Sequence, residues 1–134
     1  MGESQVSQIG EGLLLLVGIY DGDGEEDVDY VVGKTLNMRL FPNCEKNFDR
    51  SVMDTEGSLL LVSQFTLCAD TRKGRRPGFS RAMVPDRAAM MFSKVVNGFR
   101  NSGLKVEEGV FQSHMDVVLI NDGPVTILVD SRDR

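Results

Sequence analysis

Three short stretches carry the residue types from which chemistry can be built. The first is SQFT, Ser63 to Thr66, where hydroxyl and amide side chains end a strongly apolar run, SLLLV. In an extended chain Ser63 and Phe65 share one face, and Gln64 and Thr66 the other. Polar groups at the end of a buried strand are held rigidly. The same spacing also fits a strand that turns polar as it surfaces, and both readings stay open. The second is TRKGRRPGFSR, which places Arg72, Lys73, Arg75, Arg76 and Arg81 within ten positions of an otherwise acidic chain of net charge −5. Such a cluster suits a phosphate backbone, with Phe79 available to stack on a base. A solvated loop whose charges pair with the many acids is the competing reading. The third is NDGPVT, between the apolar runs MDVVLI and VTILVD. Asn-Asp-Gly supplies a turn, but proline directly after it donates no ladder hydrogen bond. Gly123-Pro124 is therefore turn punctuation or backbone held for a purpose.

Other sets are weaker. Ser63, His114 and Asp116 have the composition of a hydrolytic triad, but no GxSxG elbow surrounds the serine. The one histidine of the chain cannot make a histidine-based metal site. DGDGEED, residues 21–27, lacks the closing glutamate of a calcium loop and reads as solvated acid. Cys44 and Cys68 stand apart with no CxxC spacing and read as reduced thiols of an intracellular protein. No metal and no cofactor is expected.

The elements that must position these residues follow from periodicity. Leu13 to Ile19 and Ser58 to Leu67 read as strands. Glu25 to Leu36 has acids in its first turn and apolar positions at Val28, Val31, Val32 and Leu36, which predicts a helix. Pro85 to Asn101 predicts a second, with proline at its start and a stripe of Ala89, Phe92, Val96 and Phe99. SVMD reads as strand-like, NMRLF as the end of a helix or a strand. Long strands are expected within Lys105–Ile120 and over Val125–Asp130. Two helices among strands adjacent in sequence predict an α+β fold with a largely antiparallel sheet or open barrel. The 134 residues fit one domain, 1–134. The apolar run GLLLLVGIY is too short to span a membrane and follows no basic segment, so the cytoplasm is the expected location.

SQFTLCADTRKGRRPGFSRA followed by NDGPVT resembles the D-aminoacyl-tRNA deacylases, which remove D-amino acids from tRNA. The resemblance runs from Ile9 to Asp130, with weaker matches at DVDY, LNMRLF and VEEGVFQSHMDVVLINDGPV. It implies a small barrel-like α/β domain that forms a homodimer with its active sites at the subunit interface. By motif, Ser63, Gln64, Phe65 and Thr66 belong to one half of the site. Asn121, Gly123, Pro124 and Thr126 of the neighbouring subunit match the other half. Arg72 to Arg81, with Phe79, lies where the family meets the tRNA acceptor end. Family members usually begin with a strand resembling RAVIQRVTRASV, whose arginine helps to hold the Gly-Pro loop. Here the chain starts at Met1-Gly2-Glu3, so that strand is expected to be missing.

The resemblance implies a particular chemistry. An aminoacyl ester is labile, so orientation, water and oxyanion stabilisation suffice without a strong nucleophile. Backbone amides at the end of the SQFT strand would face the oxyanion. Ser63 and Thr66 would be supports, and a ribose hydroxyl of the substrate would assist. Gly123-Pro124 is expected to be a cis peptide whose carbonyls form a chiral wall. Such a wall excludes L side chains and cannot exclude glycine. The competing class is a dimeric RNA-binding module that uses loop 72–81 without catalysis.

Overall fold

The computed structural model describes residues 5–134. The expected absence of a first strand concerns the start of the chain, residues 1–4, and lies outside the described residues. β1 (Gly12–Val17), β2 (Ser58–Ser63) and β3 (Val106–Glu108) form a three-stranded sheet in the order β1-β2-β3. α1 (Glu25–Asn37) and the short α2 (Val52–Thr55) lie between β1 and β2, and α3 (Pro85–Arg100) between β2 and β3.

Both strand pairings are parallel. This overturns the antiparallel sheet and the barrel expected from the sequence. A strand whose connection crosses over through a helix returns in the same direction, and each connection here contains one. The described residues form a small α+β fold with an open parallel sheet. SVMD supplies most of α2, where Ser51 accepts the Asp54 amide at 3.1 Å and Asp54 accepts the Ser51 amide at 2.9 Å. That reciprocal cap explains a helix where β-type residues suggested a strand. NMRLF continues neither helix nor strand beyond α1, apart from an isolated bridge between Phe41 and Arg50.

α1 begins where its acids sit. Asp27 accepts the Gly24 amide at 2.9 Å, and Glu25, Glu26 and Asp27 fill the first turn. α3 starts at Pro85, where a missing N–H costs nothing. Its Phe92, Val95, Val96 and Phe99 pack with Leu59, Leu61, Val52 and Val28 in the core. Truncating a buried phenylalanine costs about 3–5 kcal/mol, so Phe92 and Phe99 pin α3 to the sheet. Leu13, Leu15 and Val17 of β1 face this core, and the alternate residue Leu16 is exposed.

The long strand expected up to Ile120 shrinks to Val106–Glu108, and none forms over Val125–Asp130. Residues 117–128 instead make an arm with Val118 93% exposed, Ile120 94% and Leu128 81%. A lone two-stranded ribbon with no surface to pack on is marginal, which accounts for the absent ladder. The arm returns to the body through residues 130–134. Ser131 is buried and bonded to Asp27, and Asp130 pairs with Arg132 at 3.0 Å. The Arg132 guanidinium lies 3.6 Å from the Tyr20 ring centroid.

Candidate active site

β1 and β2 end side by side, with Val17 opposite Ser63. The carboxyl edge of a parallel sheet is where open α/β sheets bind ligands. Past Ser63 the Gln64 amide donates to the Val17 carbonyl at 2.8 Å, and the chain tightens into a 3₁₀ turn over Phe65–Cys68. Gln64 Nε2 donates to Thr66 Oγ1 at 2.5 Å, tying together the two residues expected to share a face. Phe65 is 57% exposed. Among the described residues the Phe65 and Thr66 amides donate to no acceptor within the chain. Two adjacent unspent donors at an exposed turn are the arrangement that stabilises a developing oxyanion.

Ser63 is half-buried, and among the described residues its hydroxyl has no hydrogen-bond partner. His114 and Asp116 sit exposed on irregular chain past β3, not on the expected strand. Cys68 is fully buried beneath the turn. Burial chiefly, with the Asp23 charge, pushes its thiol up, away from the reactive thiolate. Cys44 is exposed, and both cysteines are free thiols. Ser63→Ala is expected to keep the ester hydrolysis implied by the family resemblance within about tenfold of the parent, because among the described residues no group hydrogen-bonds the Ser63 hydroxyl to activate it. Trapping an acyl group on Ser63 by mass spectrometry would reject this.

The basic loop is built, not merely charged. Asp70 and Gly78 exchange backbone hydrogen bonds of 2.7 and 2.9 Å, closing it at its base. Arg72 grips Asp70 through Nε at 2.9 Å and Nη2 at 2.8 Å. That guanidinium holds the Asp70 carboxyl well below the usual range. Arg81 turns back onto the Ala69 carbonyl at 3.3 Å and over Tyr20. Two of the five cations thus brace the loop. Lys73, Arg75 and Arg76 take part in no ion pair among the described residues. A recess of about 280 Å³ lies between Asp70, Arg72, Lys73, Arg76, Gly78 and Ser80. Phe79 is half-buried and meets Phe65 edge-on at 5.0 Å, so the loop and the turn share an aromatic contact.

Gly123-Pro124 is a cis peptide, as expected from the sequence. Asn121 organises the loop: its Nδ2 donates to Thr126 Oγ1 at 2.9 Å, and its Oδ1 accepts the Val125 amide at 2.9 Å. Asn121, Gly123, Pro124 and Thr126 are all exposed. Among the described residues no hydrogen bond joins this loop to Ser63–Thr66 within one chain. The two motifs are separately ordered and separately presented.

The family model described as D-Tyr-tRNA(Tyr) deacylase matches residues 1–130. The chain belongs to this deacylase family. A D-aminoacyl-tRNA deacylase of Halothermothrix orenii is 53% identical over 127 residues, covering 95% of this chain and 85% of that protein. A Bacillus subtilis protein named as an inactive D-aminoacyl-tRNA deacylase is 46% identical over 132 residues, covering 98% of this chain and 100% of that protein. Among solved structures, the c-Myc DNA Unwinding Element Binding Protein superposes with a TM-score of 0.88 at 37% identity, covering 94% of this chain and 86% of that one. In this member of the deacylase family the sequence motifs did not disclose Tyr20, Asp130 and Arg132, which anchor the end of the Gly-Pro arm beside the basic loop. The only local signal was an acid and an arginine two residues apart.

Proposed function

We propose that the chain hydrolyses the ester bond of D-aminoacyl-tRNA, and of glycyl-tRNA charged on the wrong tRNA, releasing free amino acid and tRNA. The observation that carries this reading is the pair of unspent amides at Phe65 and Thr66, on a turn fixed to the carboxyl edge of the sheet. The ester carbonyl would lie against these amides, with its oxygen accepting from them as water adds. Preorganised donors of this kind are worth about a hundredfold or more in rate. Family membership supports the substrate class. The role of the reaction is chiral proofreading in translation, and its place the cytoplasm. No described helix is long and apolar enough to cross a membrane.

The complete site is read as dimeric. Ser63, Gln64, Phe65 and Thr66 of one subunit would face Asn121, Gly123, Pro124 and Thr126 of another. Parallel sheets are rarely bare on one face, and here Leu16 of β1 and the arm residues Val118, Ile120 and Leu128 are exposed. A second copy is the occupant that would cover them. Lys73, Arg75 and Arg76 would hold phosphates of the acceptor end, with Phe79 near its last base.

The second reading is a dimeric RNA-binding module without catalysis. The Bacillus subtilis relative, matched along its whole length and named inactive, favours it. Incubation of the purified chain with D- and L-aminoacyl-tRNA separates the two. Release of the D-amino acid alone supports the enzyme; tRNA binding without release supports the module.

The loop has its own expected outcome. Arg75→Ala/Arg76→Ala should weaken tRNA binding and flatten the salt dependence of log Kd by about one to two counterions. Turnover at saturating tRNA should stay within about twofold of the parent, because neither side chain reaches the Phe65 turn by any described contact. A collapse of turnover with binding intact would give the loop a chemical role.

A further inference from the structure

We infer that Gly18 is a positioning residue for hydrolysis: its missing side chain sets where the Phe65–Cys68 turn sits. This rests on the reaction proposed above. The stretch from Val17 to Asp21 runs between the turn and the foot of the basic loop. The Val17 carbonyl takes the Gln64 amide at 2.8 Å, the Ile19 carbonyl takes the Met83 amide at 3.0 Å, and the Asp21 amide gives to the Arg81 carbonyl at 2.9 Å. Gly18 lies in the middle of this brace. Its backbone does not require glycine, since its φ is not in the left-handed region. Space does. A Cβ at Gly18 would stand 2.9 Å from Leu67 Cβ, 3.2 Å from the Gln64 carbonyl oxygen and 3.4 Å from Cys68 Sγ.

The first of these contacts cannot be relieved by a rotamer change. Leu67 Cβ is fixed to the backbone of the 3₁₀ turn, so the turn itself must move. The second contact presses on Gln64, whose carbonyl accepts the Leu67 amide at 3.2 Å and closes the turn. β1 and the core side chains behind it are anchored by the Val17–Ser63 pairing and by Ile19, which is 8% exposed. The less constrained partner is the turn, where Phe65, Thr66 and Leu67 are all exposed. A methyl at Gly18 therefore shifts the Phe65 and Thr66 amides relative to the sheet edge and the basic loop. A displacement of a few tenths of an ångström at an oxyanion donor lowers the rate without removing any group that binds tRNA.

The test is a cycle of Gly18→Ala, Leu67→Gly and the double variant, each against the parent chain. Deacylation of D-aminoacyl-tRNA is followed together with amide resonances in ¹⁵N-labelled protein. G18A is expected to lower kcat about tenfold or more with KM held within about twofold. The Phe65, Thr66 and Leu67 resonances should shift while those of α1 and α3 stay in place. Removing the opposing Cβ with L67G in the double variant should return both kcat and those resonances toward the L67G values. A G18A chain with parental kcat and parental resonances overturns the inference, as does a double variant that recovers neither. If the parent hydrolyses no ester, the proposed reaction fails, and the positional claim is then decided by the resonances alone. If G18A does not fold, the double variant decides: recovered folding supports the claim, and persistent misfolding overturns it.

Discussion

Gly123→Ala should cut deacylation of D-aminoacyl-tRNA by about a hundredfold or more, close to 3 kcal/mol of barrier, with the chain still folded and its melting temperature lowered by about 3–10 °C. Gly123 has φ +134°, where an L side chain is strained, and a Cβ there would meet Val125 Cγ2 at 2.8 Å and the Val125 amide nitrogen at 3.1 Å. Val125 N is the donor to Asn121 Oδ1, so the disturbance passes directly into the Asn121–Thr126 brace. Strain of this type costs about 1–3 kcal/mol locally. The loop is exposed and outside the core, so the body of the chain keeps its packing. Gly22→Ala is the control: φ is +94° there and a Cβ meets nothing within 4 Å. Equal activity losses in the two variants, or parental kcat in Gly123→Ala, would remove the Gly-Pro loop from the site.

Placing charges on the arm should separate the subunits. Light scattering of the parent chain is expected to give about twice the 14.8 kDa chain mass. Val118→Glu/Ile120→Glu should give the single-chain mass with activity lost. Burying such a side chain is worth about 1.5–3 kcal/mol. In a symmetric pair each residue counts twice, so about 6–12 kcal/mol of association is at stake before the cost of burying carboxylates. Within one chain these residues are 93% and 94% exposed, so the fold of the subunit has little to lose. A doubly substituted chain that remains dimeric, or a parent that is monomeric with full turnover, would refute the shared site.

The sequence disclosed elements better than their arrangement. α1 and α3 were legible because caps, charges and apolar spacing all act within one or two turns. β1 and β2 were legible as apolar runs, but an apolar run does not state its direction. Only the helices between strands do, and that signal was masked by extra strands expected within Lys105–Ile120, over Val125–Asp130 and at SVMD, where the cap made by Ser51 and Asp54 outweighs β-propensity. The strands expected on either side of Asn121 failed for a different reason. Their apolar residues are present, but within the chain Val118, Ile120 and Leu128 pack against no surface, and a lone ribbon without one is marginal. For the candidate site, the motifs marked Ser63–Thr66 and Asn121–Thr126, and local side-chain bonds hold each of them. The roles of Gly18, Tyr20 and Arg132 were hidden because each depends on a neighbour far along the chain.

The parallel sheet also bears on how the chain folds. Gly12 pairs with Ser58, and Leu59 with Val106, so neither ladder can begin from a hairpin. Each requires a long loop to close before any strand hydrogen bond rewards it, and high contact order of this kind slows folding. The turn that bears Phe65 follows the central strand, which belongs to both ladders. Its geometry is therefore completed only when both crossovers have closed. During that interval the apolar β1 and the arm are exposed together, and a newly made chain is at its most prone to aggregate.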